Sequence, residues 1–182
     1  MTALTLTAEF SDALEKLHAG VPVFLTGRAG TGKSTLIRTF LESTSRSVVV
    51  AAPTGIAALN VGGYTLHRLF SFPAGITPEQ VRSGDYRPGR FMKTLKALDT
   101  LVIDEISMVR ADLFDCLVLA LEQFGPKPGT PFGGVQLVLV GDLHQLPPVV
   151  TEPEREHFQT YTTPPSSSRG TSTRRRRSRS WS

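Results

Sequence analysis

Between positions 27 and 35 the chain reads GRAGTGKST, and its residue types converge on one chemistry. Gly27, Gly30 and Gly32 let the backbone curl until its N–H groups face inward, a shape that wraps an anion. Lys33 adds a mobile cation, and Ser34 adds a hydroxyl suited to a divalent ion beside a phosphate chain. An apolar run, VPVFLT, precedes the loop, and a helical pattern follows it. That context makes this a phosphate-binding loop, with the positive end of the helix directed at the same anion. The nucleotide-binding set read from the motif is Gly27, Gly30, Thr31, Gly32, Lys33, Ser34 and Thr35, with ATP and Mg²⁺ as the expected ligands.

Hydrolysis also needs a carboxylate on the metal side and a group that orients water. The segment LVIDEIS ends an apolar run in Asp104 and Glu105, where ligands of open α/β sheets gather. Asp104 is the candidate Mg²⁺ residue alongside Ser34, and Glu105 is the candidate general base. A second run, LVLVGDLHQLPPV, leads through Gly141 and Asp142 to Gln145, the candidate sensor of the γ-phosphate. Lys33, Asp104, Glu105 and Gln145 form the expected catalytic set.

A different surface is suggested by AAPTGIAALNVGGYTLHRLF, residues 51–70. Pro53, Thr54 and Gly55 open a helix where backbone N–H groups and a hydroxyl can hold the phosphates of a strand. Thr65 and His67 add polar groups further on, and such groups suit a sequence-tolerant path for single-stranded DNA. Phe70 is expected to pack rather than to stack on bases.

These residues depend on elements that the pattern also outlines. Continuous apolar runs at 21–27, 47–53, 100–105 and 135–142 predict strands buried on both faces of a parallel sheet. Helical patterns at 8–20, 33–43, 54–60, 64–70, 91–98 and 110–124 separate or flank them. Strands alternating with helices predict a three-layer α/β domain with a mostly parallel sheet, a P-loop NTPase fold over residues 1–150. The stretch 71–90, rich in Pro, Gly and charge, reads as an excursion from that sheet.

GRAGTGKST, APTGIAALNVGGYTLHRLF, VIDEISMV and GDLHQLPPV, in this order, resemble motifs I, Ia with Ib, II and III of the Pif-type superfamily-one DNA helicases. The resemblance covers about residues 6 to 150. It implies the first RecA-like domain of an ATP-driven motor moving 5′ to 3′ on single-stranded DNA, with family roles in DNA repair, recombination and genome maintenance. Such helicases place a glutamine where this chain has Phe10, so selectivity for adenine is not expected from that position. They also hydrolyse ATP between two RecA-like domains, the second of which supplies arginines; this chain is expected to stop short of it, to hydrolyse slowly and not to unwind alone. A small phosphate-loop kinase and a non-enzymatic nucleic-acid-binding protein are the alternative readings.

Charge places the third reading in the tail. The chain has 20 Lys and Arg against 16 Asp and Glu, but residues 151–182 hold seven Arg and three Glu, leaving 13 of each sign before them. The body is neutral. The segment from about 160, ending in TTPPSSSRGTSTRRRRSRSWS, reads as a disordered basic arm or as the out-of-frame end of a GC-rich gene, and not as part of the domain. The lone Cys116 sits in an apolar helical pattern and reads as a buried thiol. No export leader or membrane span is indicated, so a cytoplasmic or nuclear protein is expected.

Overall fold

The computed structural model describes residues 7–28 and 30–142. Gln145 and the tail lie outside the described residues.

Five parallel strands form one sheet in the order β1-β5-β4-β2-β3. Their ranges are β1 Val23–Thr26, β2 Val48–Ala52, β3 Tyr64–Thr65, β4 Thr100–Ile103 and β5 Gln136–Gly141. The central strand β4 is buried at every position. Its alternate side chains enter two different cores, which is why its sequence is apolar without alternation. Val102, with Val138 and Val140 of β5, faces a core built by Leu17, Leu36, Ile37 and Phe40. Leu101 and Ile103, with Leu137, face the other core, which holds Leu69, Phe70, Leu117 and Leu121. Helices α1 (Ala8–His18) and α2 (Lys33–Ser43) supply the first core. The second draws on α4 (Leu66–Phe70), α5 (Pro78–Arg82), α6 (Met92–Lys96) and α7 (Ala111–Phe124). Helix α3 spans Gly55–Asn60. Phe10 packs against the first core, and α1 is capped by the Thr7 hydroxyl.

The run at 21–27 is not buried on both faces, since alternate residues of β1 are exposed, Phe24 at 46%. The segment 64–70 is not one helix: Tyr64 and Thr65 pair with Ala51 and Ala52 as a short edge strand, and the helix starts at Leu66. Thr65 marks the change, because its hydroxyl accepts from the Arg68 N–H and caps α4. The stretch 71–90 does leave the sheet, but it contributes Phe72, Ile76, Val81 and Tyr86 to the second core. Its helix α5 begins with a capping box between Thr77 and Gln80. The Tyr86 hydroxyl donates to the Phe70 carbonyl, tying the end of the excursion to α4.

At the pole where the strands begin, Gln136 uses all four of its side-chain bonding positions. Its Nε2 donates to the carbonyls of Leu17 at 3.1 Å and Val21 at 2.7 Å. Its Oε1 accepts from Thr100 Oγ1 at 2.8 Å and Arg46 at 3.0 Å. One buried amide thereby joins the end of α1 to β4, to β5 and to the loop before β2.

Candidate functional site

The opposite pole gathers the strand ends. The register pairs Thr26 with Gly141, Ile103 with Leu139 and Ala51 with Ile103, so the chain leaves β1, β2, β4 and β5 at one edge of the sheet. The segments starting at Gly27, Pro53, Asp104 and Asp142 therefore converge without any residue having to reach far.

The loop from β1 to α2 is shaped by its glycines. Gly32 is the residue before α2 and has a left-handed φ of 92°, which a residue with a Cβ rarely adopts. Thr31 braces the loop by donating from Oγ1 to the Arg28 carbonyl at 2.9 Å. Lys33 bends back over it, donating from Nζ to the carbonyls of Gly27 at 2.5 Å and Arg28 at 3.0 Å.

Beside the loop, Asp104 donates its backbone N–H to Ala51 and so stays tied to β2. Glu105 has a φ of 54°, a left-handed conformation that costs a non-glycine residue about 1 kcal/mol or more. It starts a tight 3₁₀ turn, Ile106–Met108. Gly141 makes room for that turn, because a Cβ there would lie 2.8 Å from Ile106 Cγ2.

A cleft of about 350 Å³ joins these parts, lined by Gly30, Gly32, Lys33, Ser34, Thr35, Asp104, Glu105, Val140, Gly141 and Asp142. It thus brings together five of the seven nucleotide-binding residues read from the sequence with Asp104 and Glu105. Gly27 sits beside it through its bond to Lys33, and Thr31 through its brace on Arg28. The lining suits a phosphate chain and its cation, with one ammonium, two hydroxyls and glycine backbone from the loop and α2, and carboxylates from the ends of β4 and β5. Asp142 was not singled out from the sequence, yet it is buried to 8% exposure and lines the cleft. The signal was present in the position of VGD at the end of an apolar run.

A second cavity of about 420 Å³ adjoins the first and shares Ser34, Asp104, Glu105 and Val140 with it. It runs between α2 and the end of α3, past Arg38, Leu41 and Asn60.

The residues expected to meet a DNA strand sit around the next two strand ends. Thr54 and Thr65 both act as caps, accepting at 3.2 Å from the N–H groups of Ala57 and Arg68. Each hydroxyl proton stays available to donate. Pro53 is half-buried and Gly55 is exposed at the start of α3. His67 is exposed on α4 with its ring edge toward Phe72, 6.4 Å between centroids. Phe70 is fully buried and stacks on Phe72, so it packs as expected. Cys116 is buried as well; desolvation first, then Asp112 and Asp115, push its thiol up to about 11 and keep it unreactive.

Comparison with known proteins agrees with this arrangement. Residues 6–169 match the family described as PIF1-like helicase. The ATP-dependent DNA helicase PIF1 of Homo sapiens is 43% identical over 158 residues, which are 85% of this chain and 24% of that protein. The Pif1 helicase of Bdellovibrio bacteriovorus is 36% identical over 157 residues, 84% of this chain and 35% of that protein. A crystal structure of Bacteroides Pif1 in complex with ADP-AlF3 and single-stranded DNA superposes with a TM-score of 0.78 at 41% identity, covering 87% of this chain and 37% of that one. The Pif1 helicase of Candida albicans gives a TM-score of 0.69 at 38% identity, covering 81% of this chain and 34% of that one. The chain thus spans about a quarter of its human relative. With the phosphate loop, the acidic turn and the strand order in place, the chain belongs to the PIF1-like helicase family.

Proposed function

We propose that this chain is the nucleotide-binding RecA-like part of an ATP-dependent DNA helicase of the 5′ to 3′ type, and that it binds Mg·ATP and single-stranded DNA. The observation that carries the reading is the single cleft shared by Lys33, Ser34, Asp104 and Glu105 at the C-terminal edge of a parallel sheet. The loop amides and the start of α2 receive the β-phosphate. Lys33 exchanges its two loop carbonyls for β- and γ-phosphate oxygens, a swap that costs it no bonds.

Ser34 and Asp104 are the residues that would hold Mg²⁺. A magnesium ion needs only one or two protein ligands when phosphates and water complete its shell. Bound there, it would offset the negative charge of the phosphate chain. Glu105 accepts the proton of the attacking water, and its turn is held against β5 by the space that Gly141 leaves. Gln145, outside the described residues, is the proposed γ-phosphate sensor. Pro53, Thr54, Gly55, Thr65 and His67 receive the DNA strand, with the two threonines donating their free hydroxyl protons to phosphates. Strand separation is proposed for the whole motor, of which this chain spans the nucleotide-binding part.

Titration with a fluorescent ATP analogue, with and without Mg²⁺, tests the reading. Saturable binding that ATP displaces and Mg²⁺ strengthens supports it. Binding that neither ATP nor Mg²⁺ alters would refute it.

A further inference from the structure

On the far side of β2 from the nucleotide cleft, the edge of the sheet carries four side chains in a contact series, two rings with an arginine at each end. The Arg68 guanidinium lies over the Tyr64 ring, 5.8 Å from its centroid. The Tyr64 and Phe91 rings meet edge to face at 5.2 Å and 69°. The Arg90 guanidinium lies over Phe91 at 4.9 Å. Phe91 is half-buried and packed against the second core, so the series is anchored at its middle. Tyr64 is 36% exposed, and Arg68 and Arg90 are exposed.

The segment around Phe91 is basic. From Tyr86 to Leu98, between Asp85 and Asp99, the chain has Arg87, Arg90, Lys93 and Lys96, all exposed, and no acidic residue. Among the described residues, none of these four, nor Arg68, forms an ion pair with a carboxylate. The exposed Arg68, Arg90 and Lys93 offer positive charge that an anionic partner can neutralise. An exposed tyrosine ring flanked by cations fits a strand that offers bases and phosphates together.

We propose that Tyr64, Phe91, Arg68 and Arg90, with Lys93 beside them, form a platform that carries single-stranded nucleic acid along the β3 edge of the sheet. This rests on the single-strand-binding reading above and adds a surface outside the residues assigned there. The two regions are continuous. Tyr64 pairs with Ala51 and Thr65 with Ala52, so the platform starts one strand away from the Pro53–Thr54 turn. The strand's phosphates meet the arginines and Lys93, and a base stacks on Tyr64.

Fluorescence anisotropy of a labelled dT15 oligonucleotide and of an abasic strand of the same length, over a salt series, tests this on the full chain. Arg90→Gln with Lys93→Gln should weaken both ligands about tenfold and reduce the salt slope by about 1.4, or about 0.7 per cation. Tyr64→Ala should weaken dT15 about tenfold and leave the abasic strand and the slope unchanged, since stacking needs a base. Thermal melts confirm that these exposed substitutions leave the fold intact. If the wild-type chain binds dT15 and His67→Ala weakens it while the platform variants match wild type, the platform is refuted and the parent reading stands. If the wild-type chain does not bind dT15, both fall.

Discussion

Lys33 donates from Nζ to the carbonyl oxygen of Gly27 at 2.5 Å, six residues back along the chain, and to Arg28 at 3.0 Å. The cation is thus held by the loop's own carbonyls at the wall of the cleft. In the nucleotide-bound state proposed above, Lys33 would exchange these carbonyls for phosphate oxygens. Charge-assisted bonds to phosphate are stronger than bonds to neutral carbonyls, so the exchange favours the bound form.

Glu105 separates binding from chemistry. Glu105→Gln should keep the affinity for an ATP analogue within about threefold, because the loop and Lys33 are untouched. Hydrolysis should fall by about 10²-fold or more, the usual effect of losing a general base. Single-turnover phosphate release beside an equilibrium titration reads both. A variant that loses binding and turnover together would move Glu105 out of that role.

Gly141 tests how tightly the acidic turn is seated. In Gly141→Ala the new Cβ would lie 2.8 Å from Ile106 Cγ2, and a β-branched side chain in a packed turn has little room to yield. Stability should fall by about 1–3 kcal/mol in urea denaturation. Turnover should fall further than affinity, because the displaced turn is the one that carries Glu105.

At the opposite pole, Gln136 is 3% exposed and fully bonded. Gln136→Leu fills the same space but leaves the Val21 carbonyl and the Thr100 hydroxyl without this partner, and the Leu17 carbonyl with the Gly20 N–H at 3.2 Å. A loss of about 3 kcal/mol is expected in chemical denaturation, since each buried orphan costs about 1–3 kcal/mol. Nucleotide affinity should be unchanged under conditions where the variant is folded.

Alkaline pH should destabilise the domain through two buried groups. Burial raises the Cys116 thiol from its ordinary 9.0 to about 11, and it raises the Tyr86 phenol above its ordinary 10.0. The unfolded chain releases these protons first, so the thiol's contribution is complete below about pH 9 and is lost as pH rises toward 11, while the phenol's falls only above its ordinary 10.0. The slope for one thiol is about 1.4 kcal/mol per pH unit. Urea denaturation from pH 8 to 11 should show this decline, and Cys116→Ala should flatten it. An identical slope in the variant would remove the thiol from the account.

The phosphate loop was legible because its chemistry is contiguous: the glycines, Lys33 and Ser34 are neighbours in sequence and in space. The acidic turn was legible for the same reason, as was the burial of both faces of β4. Tyr64 and Thr65 were not, since a two-residue strand has no periodicity of its own and exists only because β2 offers an open edge. The burial of Tyr86 was hidden by the Pro- and Gly-rich residues around it. Gln136 looked like one polar residue in an apolar run, because its partners Arg46 and Leu17 lie 90 and 119 residues away. The platform at Tyr64 and Phe91 likewise joins residues that only the fold brings together.

The most direct test of the account is nucleotide affinity in Lys33→Ala. The lysine lies at the loop surface and bonds only to loop carbonyls, so its removal should leave the thermal melt of the unliganded chain unchanged. Mg·ATP-analogue binding, measured by calorimetry, should weaken at least tenfold, about 1.4 kcal/mol. Equal affinity in wild type and variant, with both folded, would contradict the assignment of this cleft to a nucleoside triphosphate.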